Sequence, residues 1–127
     1  MTVKSQGVAM RIVIVDDSSH FLRAARNALR QEGADVVGSA STIQEALQLA
    51  EELRPDVILV DVDLGEESGF DLAERLTAAG AANVVLISAY PEAELADLIA
   101  ASPALGFVAK SELSARAVSD VLGREGG

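Results

Sequence analysis

Five polar residues stand in this chain where chemistry is most easily assembled, each at the end of a short apolar run. Asp16 and Asp17 follow Arg11–Val15 (RIVIV), and Asp61 follows Val57–Val60 (VILV). Ser88 closes Asn83–Ser88 (NVVLIS), and Lys110 follows Leu105–Ala109 (LGFVA). Two carboxylates about 4 Å apart repel by roughly 4 kcal/mol at an effective dielectric near 20. Three in one place therefore call for proton uptake, a cation, or both. An all-oxygen donor set beside a single lysine suits a hard divalent ion, and Mg²⁺ is the one these residues favour. Within such a set Asp61 is the candidate nucleophile, because a carboxylate can form an acyl phosphate. Lys110 offers a mobile positive charge to a phosphate oxygen, and Ser88 offers a hydroxyl that can report whether a phosphoryl group is present. Taken singly, each has a plain structural explanation: an aspartate that caps a turn, a solvated lysine, a strand-end serine. Their joint order and placement carry the functional reading.

Those residues can meet only if the elements between them bring the strand ends together. The fifth run is Ala34–Gly38 (ADVVG), and several of the runs are nearly continuous β-branched stretches, the pattern of parallel strands buried on both faces. Helical patterns lie between them. The first covers Ser19 to Glu32, with Phe21, Leu22, Ala25, Ala28 and Leu29 on the inward stripe and Gly33 as the stop. The second covers Thr42 to Leu53, opened by Ser41 or Thr42 with Glu45 in capping-box range and closed before Pro55. The third covers Gly69 to Ala79, the fourth runs from Pro91 to about Ser102, and the fifth covers Glu112 to Leu122. This βα alternation predicts a single three-layer (βα)5 α/β domain, a five-stranded parallel sheet with helices on both faces. In such open sheets the functional crevice lies at the carboxyl ends of the strands, where the five polar residues stand. Residues 1–10 read as a flexible tail, 11–123 as the domain and 124–127 as a frayed end.

Composition excludes several function classes. The formal net charge of −10 repels phosphate backbones, and no helix-turn-helix pattern offsets it, so nucleic-acid binding by this chain is not expected. There is no cysteine, which removes disulfide and thiolate-metal frameworks and suits a reducing cytoplasm. No apolar run reaches the roughly 20 residues a membrane span needs, and Met1 to Met10 lacks the apolar region of a secretory signal.

From Arg11 to Leu122 the sequence resembles the receiver domains of two-component response regulators. The resemblance rests on the acidic pair in IVIVDDS, the acceptor in VILVDVDL followed by ESGFDLA, the hydroxyl in VVLISAY and the lysine in GFVAK. It implies a flavodoxin-like fold with strand order 2-1-3-4-5 and Mg²⁺-dependent phosphorylation at Asp61. Asp17 and Asp61 would ligate the metal directly, the Asp63 backbone carbonyl would be a third protein ligand, and Asp16 would act largely through bound water. Ser88 and Lys110 would contact the phosphoryl group, and Phe107 resembles the rotating aromatic switch. The resemblance further implies a histidine kinase or histidine phosphotransfer protein as phosphodonor. The switched output would be the helix 4–strand 5–helix 5 surface, read by a protein effector or by a second copy in a homodimer. It implies no turnover of an external substrate.

The chain departs from the family pattern in three places. Leu64-Gly65 stands where a Met-Pro pair is usual, Ser111 stands where proline commonly follows the lysine across a cis bond, and the switch aromatic is phenylalanine rather than tyrosine. Asp63 and Tyr90 occupy positions that flank the phosphoryl group in the family and tune its lifetime; an alternative is that both are exposed loop side chains. Arg23, Arg26 and Arg30 form a basic stripe on the first helix, either a docking face for the phosphodonor or an ordinary solvated surface. His20, the sole histidine, reads as a first-turn helix residue. Three other functions compete. VILVDVDLG also mimics the Asp-x-Asp signature of haloacid-dehalogenase-type phosphatases, but those place that strand first, and here the acidic pair precedes it. A receiver that serves only as an interaction module would lack the acceptor or a metal carboxylate. A flavodoxin-like cofactor carrier would need a phosphate-cradling loop where Asp16-Asp17-Ser18-Ser19 stands.

Overall fold

The β-branched runs form a five-stranded, wholly parallel sheet. The computed structural model of the chain describes residues 9–81 and 83–126, so most of the expected tail and Gly127 of the expected frayed end lie outside the described residues. The strands are β1 (Arg11–Val15), β2 (Asp35–Ala40), β3 (Val57–Asp61), β4 (Asn83–Ser88) and β5 (Gly106–Ala109). Their spatial order is β2-β1-β3-β4-β5, the order the resemblance implies. β3, VILVD, is central and buried along its whole length, as a strand covered on both faces must be.

Alternation along the strands divides the core in two. Ile12, Ile14, Val57, Leu59, Val85 and Ile87 face the first and last helices, α1 (Ser19–Gln31) and α5 (Ala115–Gly126). Val13, Val15, Ile58, Val60, Val84 and Leu86 face α2 (Ile43–Leu53), α3 (Gly69–Ala78) and α4 (Ala96–Ala101). Each such side chain, fully buried, contributes about 1.5–3 kcal/mol relative to exposure. This two-sided burial fixes the strand register and hence where the strands end. No described helix is long and apolar enough to cross a membrane.

Several element bounds differ from those the sequence predicts. Ala28 of α1 is exposed, not inward; Ala25 and Leu29 alone are fully buried on that helix. α2 begins one residue late because Thr42 acts as its N-cap, accepting from the Glu45 amide at 3.1 Å, while Glu45 reaches back to the Ser41 amide at 3.0 Å. The stretch predicted as one helix from Pro91 is a 3₁₀ turn (Glu92–Leu95) followed by the short α4, and neither has a side-chain cap. Its residues are mostly exposed, with Leu95 and Ile99 the apolar anchors that reach the core, so little holds it in a longer α-helix. At the last helix, Lys110–Glu112 is a 3₁₀ turn and Ser114 caps the helix start, accepting from the Ala117 amide at 3.0 Å. A small antiparallel ribbon, Asp63–Leu64 with Glu67–Ser68, follows β3 and carries no periodicity long enough to be read from sequence.

Candidate functional site

The carboxyl ends of β1, β3, β4 and β5 come together on one edge of the sheet, and the five polar residues are all there. Asp16 continues β1 by one residue, its amide donating to the Ala40 carbonyl at 3.0 Å, and its side chain is wholly buried. Asp61 ends β3 and Ser88 ends β4, both buried. Asp17 is exposed, and Lys110 follows β5 at half-burial. Carboxylate oxygens of Asp16, Asp17 and Asp61 all lie within 4.8 Å of one another. Lys110 Nζ lies 3.0 Å from Asp61 Oδ2 and 2.6 Å from Asp16 Oδ2.

Local turns hold this geometry. The Asp63 amide donates to Asp61 Oδ1 at 3.1 Å, and Asp63 Oδ1 in turn accepts from the Gly65 amide at 3.0 Å. Gly65 sits at φ +79°, and a Cβ there would come 3.2 Å from Asp17 Oδ2, so a side chain would crowd the carboxylate as well as strain the backbone. Gly69 opens α3 directly beneath the acceptor: a Cβ there would lie 1.9 Å from the Asp61 carbonyl oxygen. The ribbon is tied to α2 through Glu67 Oε1, which accepts from the Ile43 amide at 2.9 Å.

The electrostatics are those of an over-charged pocket. Burial holds the Asp61 carboxyl above its ordinary value, helped by the charge of Asp16, against the Asp63 N–H and the Lys110 ammonium, which favour ionisation. Burial alone would lower Lys110, but the neighbouring carboxylates of Asp16 and Asp61 outweigh it and hold the ammonium above its ordinary value. Asp16 Oδ2 is close to Nζ but not aligned for a hydrogen bond, and it is the one buried side-chain polar atom among the described residues without an aligned donor. Three carboxylates against one ammonium leave room for a further positive charge, so the donor set fits a hard cation.

The remaining predicted residues take separate positions. The Asp63 side chain is exposed and folded into its own loop. Tyr90 is exposed, and its amide donates to Ser88 Oγ at 2.9 Å. Phe107 is half-buried against the core on the α4 side. The Lys110–Ser111 peptide is trans. Arg23, Arg26, Arg30 and His20 are all exposed. Phe21, on the predicted inward stripe, packs against the core, and its ring also lies beside Lys110, with Nζ 4.3 Å from the ring centroid, a contact the sequence does not announce. A cavity of about 690 Å³ lies elsewhere, between α2 and α3 near Arg54, Pro55 and Ala81. That is the opposite end of the strands, and its charged members Glu51 and Arg54 are exposed, so the carboxylate pocket, not the cavity, holds the convergent polar groups.

Fold and site together define a parallel α/β domain with an acidic, lysine-bearing pocket at the carboxyl edge of its sheet. The chain belongs to the response regulator receiver domain family, whose model matches residues 12–121. It is 29% identical over 103 residues to the transcriptional regulatory protein PdtaR of Mycobacterium tuberculosis, covering 81% of this chain and 50% of that protein. A protein-glutamate methylesterase/protein-glutamine glutaminase of Haloarcula marismortui is 37% identical over 84 residues, 65% of this chain and 22% of that protein. The chain thus spans half or less of these relatives' own length. Among solved structures, the signal receiver domain of the response regulator NarL from Mycobacterium tuberculosis superposes with a TM-score of 0.78 at 27% identity, covering 91% of this chain and 98% of that one. A LuxR-family two-component response regulator from Aurantimonas superposes with a TM-score of 0.79 at 25% identity, covering 91% and 86% respectively.

Proposed function

We propose that this chain is a phosphoacceptor switch of a two-component or phosphorelay system, phosphorylated on Asp61 with Mg²⁺ in the pocket. The observation that carries the reading is the meeting of Asp61 with Lys110, Asp16 and Asp17 at one buried strand edge. Asp16, Asp17, Asp61 and Asp63, the last through its backbone carbonyl, would hold the ion. When bound, Mg²⁺ offsets the charge of three carboxylates and of the incoming phosphoryl group.

An Asp61 carboxylate oxygen attacks phosphorus, and the bond from phosphorus to the donor's histidine nitrogen or acyl oxygen breaks, its electron pair leaving with the donor. Lys110 exchanges its contact with Asp61 for one with a phosphoryl oxygen. Ser88 gives up the Tyr90 amide and turns its hydroxyl to the phosphoryl group; Phe107 follows into the space vacated. The change is read on the surface of α4, β5 and α5 by a protein effector or a second copy of the chain. Asp63 and Tyr90 border the entry of water and set how long the acyl phosphate lasts. The receiver domain is residues 11–123, acting in the cytoplasm on phosphoryl groups from a histidine kinase or a histidine phosphotransfer protein, without turnover of an external substrate.

Incubation with acetyl phosphate and Mg²⁺, followed by intact-protein mass spectrometry, is expected to show one phosphoryl group on the wild type and none on Asp61→Asn. Equal labelling of the two proteins would overturn the assignment.

A further inference from the structure

Four residues, Asp16, Ser18, Phe21 and Lys110, close a circuit beside the proposed acceptor. Asp16 Oδ1 accepts from the Ser18 amide at 2.8 Å, and Ser18 Oγ, as N-cap of α1, accepts from the Phe21 amide at 3.2 Å. The Phe21 ring lies 4.3 Å from Lys110 Nζ, and Nζ returns to Asp16 Oδ2 at 2.6 Å. The buried carboxylate thus sets the cap, the cap sets the first turn of α1, and that turn sets the ring against the ammonium the carboxylate itself attracts. An ammonium over a ring face is drawn to the π-electron density, more strongly when water is excluded, and Lys110 has only 18% of its side chain exposed. The carboxylates pull Nζ toward Asp16 as well as Asp61; the ring is the one uncharged group here that holds the ammonium without neutralising it or competing as an acceptor.

We infer that Phe21 is a positioning residue: its ring face covers one side of the Lys110 ammonium and holds it within reach of Asp61 for phosphoryl transfer. The inference rests on the phosphoacceptor reading of Asp61 and goes beyond it by assigning the lysine's placement to α1. An aliphatic side chain of similar bulk would preserve the packing of α1 but not the attraction, whereas tyrosine would preserve both.

The test compares wild type, Phe21→Leu and Phe21→Tyr in two measurements. In metal-free protein, NMR of the Lys110 ε-methylene protons is expected to show an upfield ring-current shift in wild type and Phe21→Tyr and none in Phe21→Leu. With acetyl phosphate and Mg²⁺, Phe21→Leu is expected to label about five-fold more slowly than wild type, and Phe21→Tyr within about two-fold of it. Equal rates for Phe21→Leu and wild type, equal slowing in both variants, or no ring-current shift in the wild type overturns the positioning role and leaves Asp61 as acceptor. A wild type that does not label at all overturns the phosphoacceptor reading, and this inference with it.

Discussion

Replacing Asp61 with asparagine removes the proposed acceptor, yet it should make the metal-free protein more stable at neutral pH. Lys110 at 3.0 Å attracts an ionised Asp61 by about 5–6 kcal/mol at an effective dielectric near 20. Asp16, at no more than 4.8 Å, repels it by at least about 3 kcal/mol, and Asp17, being exposed, adds a smaller screened repulsion. The charge terms come close to cancelling, so burial decides: Asp61 is only 5% exposed, and desolvation opposes its ionised form. The raised Asp61 pKa has the same sign and the same leading cause. The folded state then holds this proton more tightly than the unfolded chain, so Asp61 costs nothing below its ordinary value of 3.8, and stability is lost as pH rises from there through the folded value. Asparagine keeps the shape and an oxygen for the Asp63 amide without the charge. The expected outcome is a Tm raised by several degrees at pH 7, since about 1 kcal/mol moves Tm by roughly 4 °C in a domain of this size. Thermal melts followed by circular dichroism in EDTA, from acid to neutral pH, would measure it. A variant less stable than wild type at neutral pH, or a gain of equal size in acid, would refute the reasoning.

Two further outcomes follow from single contacts. Gly69→Ala should destabilise the fold by about 3 kcal/mol or more in urea unfolding, because the new methyl would stand 1.9 Å from the Asp61 carbonyl oxygen, a backbone atom that cannot step aside. Lys110, held above its ordinary value of 10.5, contributes stability that is complete below that pH and lost as pH rises through the folded value. Lys110→Met should abolish this alkaline loss in chemical unfolding between about pH 9 and 12, at the cost of leaving Asp16 and Asp61 without a counterion at neutral pH.

The strand ends that carry the site are legible in the sequence because each is a short, mostly apolar run that ends at or beside a polar residue, a contrast that survives without any tertiary information. Asp16, Asp17, Asp61, Ser88 and Lys110 therefore stand out as strand-end residues in the sequence alone, whereas the strand order follows from resemblance, not from periodicity. The helices were read less well where local signals compete. Pro91 looks like a first-turn residue, but no side chain caps the following turn and few apolar residues anchor it, so a 3₁₀ turn and a short helix result. Ser114 captures the start of α5 from Glu112 by capping three residues on. The bond from the Ile43 amide to Glu67, and the ring of Phe21 over Lys110, join residues far apart in the chain, and nothing in either segment alone encodes the partner. A 3.6-residue period assigns Phe21 to the inward stripe correctly; it cannot say that in the first turn of a helix the inward direction leads past the core to the strand edge.

That overhang bears on why the site can be charged at all. Asp16 and Asp61 are buried at the ends of strands whose other side chains, Arg11 at the far end of β1 apart, are apolar, so the sheet that fixes their position supplies almost nothing to solvate them. What solvation they have comes from the turns immediately beyond the strands: the amides of Ser18 and Asp63, and the ammonium of Lys110. None of these neutralises the cluster, and one oxygen of Asp16 keeps no aligned donor. The core on both faces of the sheet must therefore hold the strand ends in register against this repulsion, and Val57–Asp61, the strand that carries the proposed acceptor, is buried along its whole length. A cation or a repositioned lysine relieves charge there without moving the strands, and the relief has to be taken up by the loops and short helices around the pocket, where the packing is thinnest.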